Sequence, residues 1–132
     1  MTVIATATVV GESGYAQKIV SAGHSLTADE GATHGGTDTG PAPYGLLLAS
    51  LGACTSITLR MYADRKGWQL GTIKISLRHS KNAEGADHIA REIHFGAALS
   101  DEQRARLAEI AEKTPVTKTI RAGATIETQV AV

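Results

Sequence analysis

Apolar and polar residues alternate at the start of the chain. Val3, Ala5, Ala7 and Val9 face one way and Thr2, Thr6 and Thr8 the other. A period of two is the mark of a half-buried strand. Strands are therefore expected over residues 2–10 and 15–21, joined by the turn Gly11-Glu12-Ser13-Gly14, with a short third strand at His24–Ala28. The stretch Asp29–Gly40 (DEGATHGGTDTG) is polar and rich in glycine, which predicts a loop.

The pattern then changes to a helix, expected from Tyr44 to about Lys66, with Pro43 at its start and Gly67 as its stop. Its first two-thirds is apolar nearly all round, as in a helix buried on several sides. Ala49, Gly52, Ser56 and Ala63 form a stripe of small residues, and Cys54 points away from it. That stripe allows close approach of another backbone. Two readings stand side by side: the same helix of a second subunit, or packing within one chain.

Alternation returns at residues 70–80 (Ile73, Ile75, Leu77) and 88–99 (Ile89, Ile93, Phe95), with Asn82-Ala83-Glu84-Gly85 as the turn between them. Ser100-Asp101-Glu102-Gln103 is a capping box that opens a helix over Asp101–Lys113. Thr114-Pro115 ends it and starts a further short helical turn, and residues 124–131 alternate as a closing strand. Strands, long helix, strands, helix, strand is an α+β order rather than a regular βαβ one.

Length and composition narrow the class. A chain of 132 residues fits a single domain, 1–132, able to build a core without metals or disulfides. Thirteen basic residues balance thirteen acidic ones, which argues against nucleic acid or an anionic membrane as partner. No apolar run reaches the length of a membrane span, and the N-terminus lacks the pattern of a signal peptide. With one cysteine no internal disulfide can form, and a cytoplasmic location is the default expectation. His79, His88 and His94 lack the spacing of a zinc site, so no metal is expected. Residues 35–40 are followed by no Lys-Ser/Thr pair and are not a phosphate loop. Arg60, Arg65 and Lys66 suit the solvated C-terminal end of the long helix.

The segment GGTDTGPAPYGLLLASLGACTSITLRMYADRKGW, with HSLTADE before it and EQRARLAEIAEKTPVTKTI after it, resembles the OsmC/Ohr superfamily in three separated places, in order and spacing. The resemblance spans roughly residues 15 to 130. It implies an OsmC-like α+β fold, antiparallel strands around a long central helix, in an intertwined homodimer. It also implies reduction of organic hydroperoxides by a cysteine pair in oxidative-stress defence. No bound cofactor is implied, only an external thiol or dithiol as reductant. Cys54 matches the attacking cysteine of the central helix. Thr114, in Thr114-Pro115-Val116, stands where the resolving cysteine belongs. Tyr44 stands where Ohr-type members carry an activating glutamate. Their arginine lies in the N-terminal part, where this chain has only Lys18 as a cation before Arg60.

The thiolate is the form that attacks peroxide, and free cysteine titrates near 8.5, so a fast reaction at neutral pH requires activation. Cys54 lies about ten residues into the helix, beyond the reach of the helix dipole. A cation or hydrogen-bond donor from another segment or subunit is needed. The candidates are His24 and His34, Tyr44, and the hydroxyls of Ser50 and Thr58, one turn either side of Cys54. Two functions follow from this pattern. One is a single-cysteine, thiol-dependent hydroperoxide reductase. The other is a relative without catalysis that binds a small apolar molecule at the dimer interface.

Overall fold

The computed structural model describes residues 1–131. Contacts divide the chain into two compact units, Met1–Leu47 and a second that begins at Leu48. The first holds an antiparallel meander of β1 (Thr8–Val10), β2 (Gln17–Ser21) and β3 (His24–Ala28). The β2–β3 turn is Ala22-Gly23, both at positive φ (51° and 79°), with Ser21 paired to His24. That is a two-residue turn whose twist matches its strands.

The loop after β3 is ordered around one carboxylate. Asp29 is 2% exposed. Its Oδ2 accepts from the hydroxyls of Thr37 (2.8 Å) and Thr39 (2.7 Å) and from both of their backbone N–H groups, while Oδ1 accepts from Glu30 N–H at 2.7 Å. A 3₁₀ turn, Ala32–His34, lies inside the loop. The polar Gly-rich segment is thus a closed structure with its own internal partners.

Helix α1 (Pro43–Lys66) follows, one residue longer at its start than the pattern predicts, and ends at Gly67 in the left-handed conformation (φ 71°). In the second unit β4 (Ile73–Lys81) and β5 (Asp87–Phe95) form an antiparallel hairpin, and α2 (Asp101–Ala111) and α3 (Pro115–Ala122) complete it. The predicted capping box is present in full: Ser100 Oγ accepts from Gln103 N–H and Gln103 Oε1 from Ser100 N–H, each at 3.0 Å. Leu59, Ala63, Leu70, Leu107 and Ala111 form the core, with Ile73, Ile93 and Phe95 packed against it from the hairpin. By length and composition α1 is apolar enough to cross a membrane. Its row Leu51, Thr55, Leu59, Ala63 is instead buried against protein.

Two expectations need correction, the terminal strands and the turn after Thr114. Residues 2–7 and 124–131 carry strand patterns, yet among the described residues neither segment pairs with a strand. A strand needs a hydrogen-bonded neighbour, and Val3, Ile4, Ile126 and Val130 stay exposed. Of the small stripe of α1, Gly52 and Ala63 pack within the chain, while Ala49 is exposed and Ser56 half-buried, so both readings of the stripe stay open. A Cβ on Gly52 would lie 2.9 Å from Leu77 Cδ1, and Ala63 is fully buried in the core. Gly52 thus lets the helix approach β4. The short turn after Thr114 is a complete eight-residue helix, α3.

Candidate functional site

Cys54 lies in the middle of α1 and is half-buried. Leu47, Ile57 and Met61 fall at heptad-like spacing around it and are 38%, 58% and 60% exposed. The thiol therefore stands between the chain's buried row and an open apolar stripe.

The buried row carries a polar residue, Thr55, directly after Cys54, and it is fully buried. Its hydroxyl donates to Leu51 C=O at 2.7 Å, satisfying one side. On the other side it accepts from Arg91 Nη1 at 2.9 Å. The alternation of β5 explains how Arg91 gets there. Ile89, Arg91, Ile93 and Phe95 share the half-buried row of the strand, and Arg91 pairs in register with Leu77 of β4. The same Nη1 donates to Thr117 Oγ1 at 2.9 Å, and Nη2 to Ala111 C=O at 3.1 Å. The guanidinium, with its side chain 12% exposed, is thus fixed by α1, the end of α2 and the start of α3.

Charges around Arg91 are arranged unevenly. Burial pushes its pKa down, the carboxylate of Glu112 favours the protonated form, and Arg121 opposes it. Glu112 Oε2 lies 3.8 Å from Arg91 Nη2 and is also held by Arg121. The Arg121 hydrogen bond is the main cause that holds the Glu112 carboxyl below its usual range. A cleft of about 460 Å³ opens here, lined among others by Leu51, Ile89, Arg91, Glu112, Ile120 and Arg121.

Thr114 has become part of this arrangement. It is fully buried, caps α3 by accepting from Thr117 N–H at 3.3 Å, and pairs its hydroxyl with Thr117 Oγ1 at 2.6 Å. Where the resemblance puts a resolving thiol, this chain has a hydroxyl network that seats an arginine.

The other sequence candidates are placed less centrally. Ser50 (exposed) and Thr58 (half-buried) lie on α1 with Cys54, four residues before and after it. Tyr44 is on the same helix but 61% exposed, and ten residues correspond to about 15 Å of axis, too far for direct contact with Cys54. His24 and His34 are exposed residues of the first unit, at the start of β3 and in the 3₁₀ turn, where His34 Nδ1 and Thr33 Oγ1 are 3.2 Å apart. Arg91 is the residue that the sequence reading missed. Its signal was present: a charged side chain on the apolar row of a strand.

The family model for OsmC-like proteins matches residues 36–129, and the chain belongs to that family. Solved structures agree on the fold. A Psychrobacter arcticus protein named for osmotic stress induction and detoxification response superposes with a TM-score of 0.78 at 16% identity, over 90% of each chain. The organic hydroperoxide resistance protein OsmC of Legionella pneumophila gives 0.69 at 20% identity, over 92% of this chain and 91% of its own. The organic hydroperoxide resistance protein OhrB of Bacillus subtilis gives 0.62 at 23% identity, over 90% and 91%. No curated protein sequence matches the chain.

Proposed function

We propose that this protein is a thiol-dependent hydroperoxide reductase that works through Cys54 alone. The observation that carries the reading is the placement of Cys54: half-buried on α1 rather than sealed in the core. Two of the similar structures are organic hydroperoxide resistance proteins, which supports organic hydroperoxides as the substrate class. The Cys54 thiolate attacks a peroxide oxygen. An S–O bond forms, the O–O bond breaks, and the departing alkoxide takes a proton to leave as the alcohol. Cys54 is then a sulfenic acid. An external thiol forms a mixed disulfide with it and releases water. A second thiol, or the other arm of a dithiol, frees Cys54 and departs as the disulfide. Thr114 excludes the internal route, since a hydroxyl forms no disulfide.

We propose further that the working unit is a homodimer in the cytoplasm. Residues 2–7 and 124–131 have strand patterns without a partner strand among the described residues, and a second copy supplies one. The test of the catalytic reading is peroxide consumption with dihydrolipoamide, wild type against Cys54→Ser. A rate lost in the variant supports it, and equal background rates in both end it. A second reading, binding of a small apolar molecule, draws on the exposed stripe of Leu47, Ile57 and Met61 beside Cys54. It gains if apolar molecules bind while peroxide is not consumed.

A further inference from the structure

We propose that the cleft between α1, β5 and α3 binds a small amphipathic monocarboxylate, its carboxylate on Arg91 and Arg121 and its apolar tail against Leu51, Ile89 and Ile120. The proposal does not depend on Cys54 reacting. Among the described residues, Cys54 takes no part in the wall of the cleft. The volume of about 460 Å³ lies in the range of roughly 300–1,000 Å³ usual for small-molecule sites. Three elements each give the cleft one aliphatic side chain: Leu51 from α1, Ile89 from β5 and Ile120 from α3. A few charged groups beside an apolar wall fix the orientation of an amphipathic ligand.

The charges choose the head group. Arg91 is held by Thr55 Oγ1, Thr117 Oγ1 and Ala111 C=O, all uncharged, so it is positioned without being neutralised. Arg121 stands on the open side, 60% exposed. Of the two acids in the cleft wall, Asp87 is taken by His79 and Lys81 at 2.8 Å each. Two guanidiniums therefore face one carboxylate, that of Glu112. This side chain shows what the pair accepts: its Oε2 is held by Arg121 and lies 3.8 Å from Arg91 Nη2. The planar fork of a guanidinium matches a carboxylate. Glu112 stands at the C-terminal cap of α2 with its side chain 55% exposed, so it can turn to water and give up its place. An incoming carboxylate meets the same two cations, and the aliphatic wall adds affinity through the tail that Glu112 lacks.

Calorimetric titration of the full chain with octanoate tests this, with octanamide as the neutral counterpart of equal length. Octanoate is expected to bind roughly tenfold or more tightly than octanamide. Arg121→Met, at an exposed site, is expected to weaken octanoate binding roughly tenfold and to leave octanamide nearly unchanged, with Arg121→Lys recovering part of the loss. Glu112→Gln removes the competing carboxylate and is expected to tighten octanoate binding. Methyl NMR locates the ligand: the signals of Ile89 and Ile120 are expected to shift. No binding of octanoate, equal affinity for the two probes, or octanoate binding that Arg121→Met leaves intact overturns the proposal. Shifts confined to Ile57 and Met61 would put the ligand on the open stripe of α1 and overturn it equally. Neither measurement uses peroxide or the thiol, so the reductase reading stands or falls apart from this one.

Discussion

Arg91 of β5 and Thr55 of α1, 36 residues apart in sequence, are joined by a 2.9 Å hydrogen bond from guanidinium to hydroxyl. The bond ties the hairpin to the central helix at the residue after the only cysteine. It also explains a threonine on an otherwise apolar row: Leu51, Leu59 and Ala63 fill space, and Thr55 receives a charge. Buried charge is tolerated where every donor finds an acceptor, and no buried side-chain polar atom lacks one among the described residues.

Thr55→Val is therefore expected to cost about 1–3 kcal/mol. The shapes match, so packing is conserved, but Arg91 loses an acceptor in a site where its side chain is 12% exposed. Urea unfolding of the variant checks this. Thr55→Ser, which keeps the hydroxyl, is expected to recover most of the loss, and equal costs for both variants would assign the effect to packing instead.

Two glycines are expected to respond differently to alanine. At Gly52 the new Cβ meets Leu77 Cδ1 at 2.9 Å, the far end of a side chain that can turn. The helix also gains about 1 kcal/mol from the replacement. Gly52→Ala should fall within about 1 kcal/mol of wild type. At Gly40 the Cβ would stand 2.2 Å from the backbone carbonyl oxygen of Thr27, which is fixed in β3 by pairing with Lys18. Gly40→Ala should cost about 3 kcal/mol or more. Thermal unfolding of the pair gives the order, and a harmless Gly40→Ala would contradict the close approach.

Much of the fold was legible in the sequence because its signals are local. Pro43 and Gly67 bound α1, Ser100 and Gln103 open α2, and alternation gives β4 and β5. Failure came where the deciding partner is distant or absent. Residues 124–131 alternate but have no strand to pair with among the described residues. The helix that carries Cys54 was legible from its apolar pattern and its bounding residues. The buried arginine that bonds the neighbouring Thr55 was not legible. It comes from β5, where a strand pairing places it, and pairing register depends on contacts that single-sequence patterns do not carry.

Excess peroxide in the absence of thiol should carry Cys54 past the sulfenic acid. The only cysteine has no internal partner, and Thr114 and Thr117 satisfy each other at 2.6 Å without chemistry to offer. Intact mass spectrometry is expected to show the addition of two, then three oxygen atoms. Dihydrolipoamide present from the start should suppress both. A product that stops at one oxygen under excess peroxide would mean that the sulfenic acid is protected by the fold.

The loop before α1 should make an acid-sensitive contribution to stability, and the sign follows from Asp29. Thr39 and Thr37 hydroxyls and the Thr39 N–H hold this carboxylate far below the usual carboxylate range, against the opposing effect of burial. In the unfolded chain it titrates near about 3.9. A carboxyl whose folded pKa is depressed contributes its full stability above the unfolded value. That contribution is lost as pH falls from about 4 toward the depressed folded value. Wild type should therefore lose stability between about pH 5 and pH 2 more steeply than Asp29→Asn, which has no charge to lose. At pH 7 the variant should be the weaker of the two, because its amide cannot accept at both oxygens as the carboxylate does. Unfolding midpoints of both proteins across this range decide it: parallel pH profiles would show that Asp29 does not organise the loop through its charge.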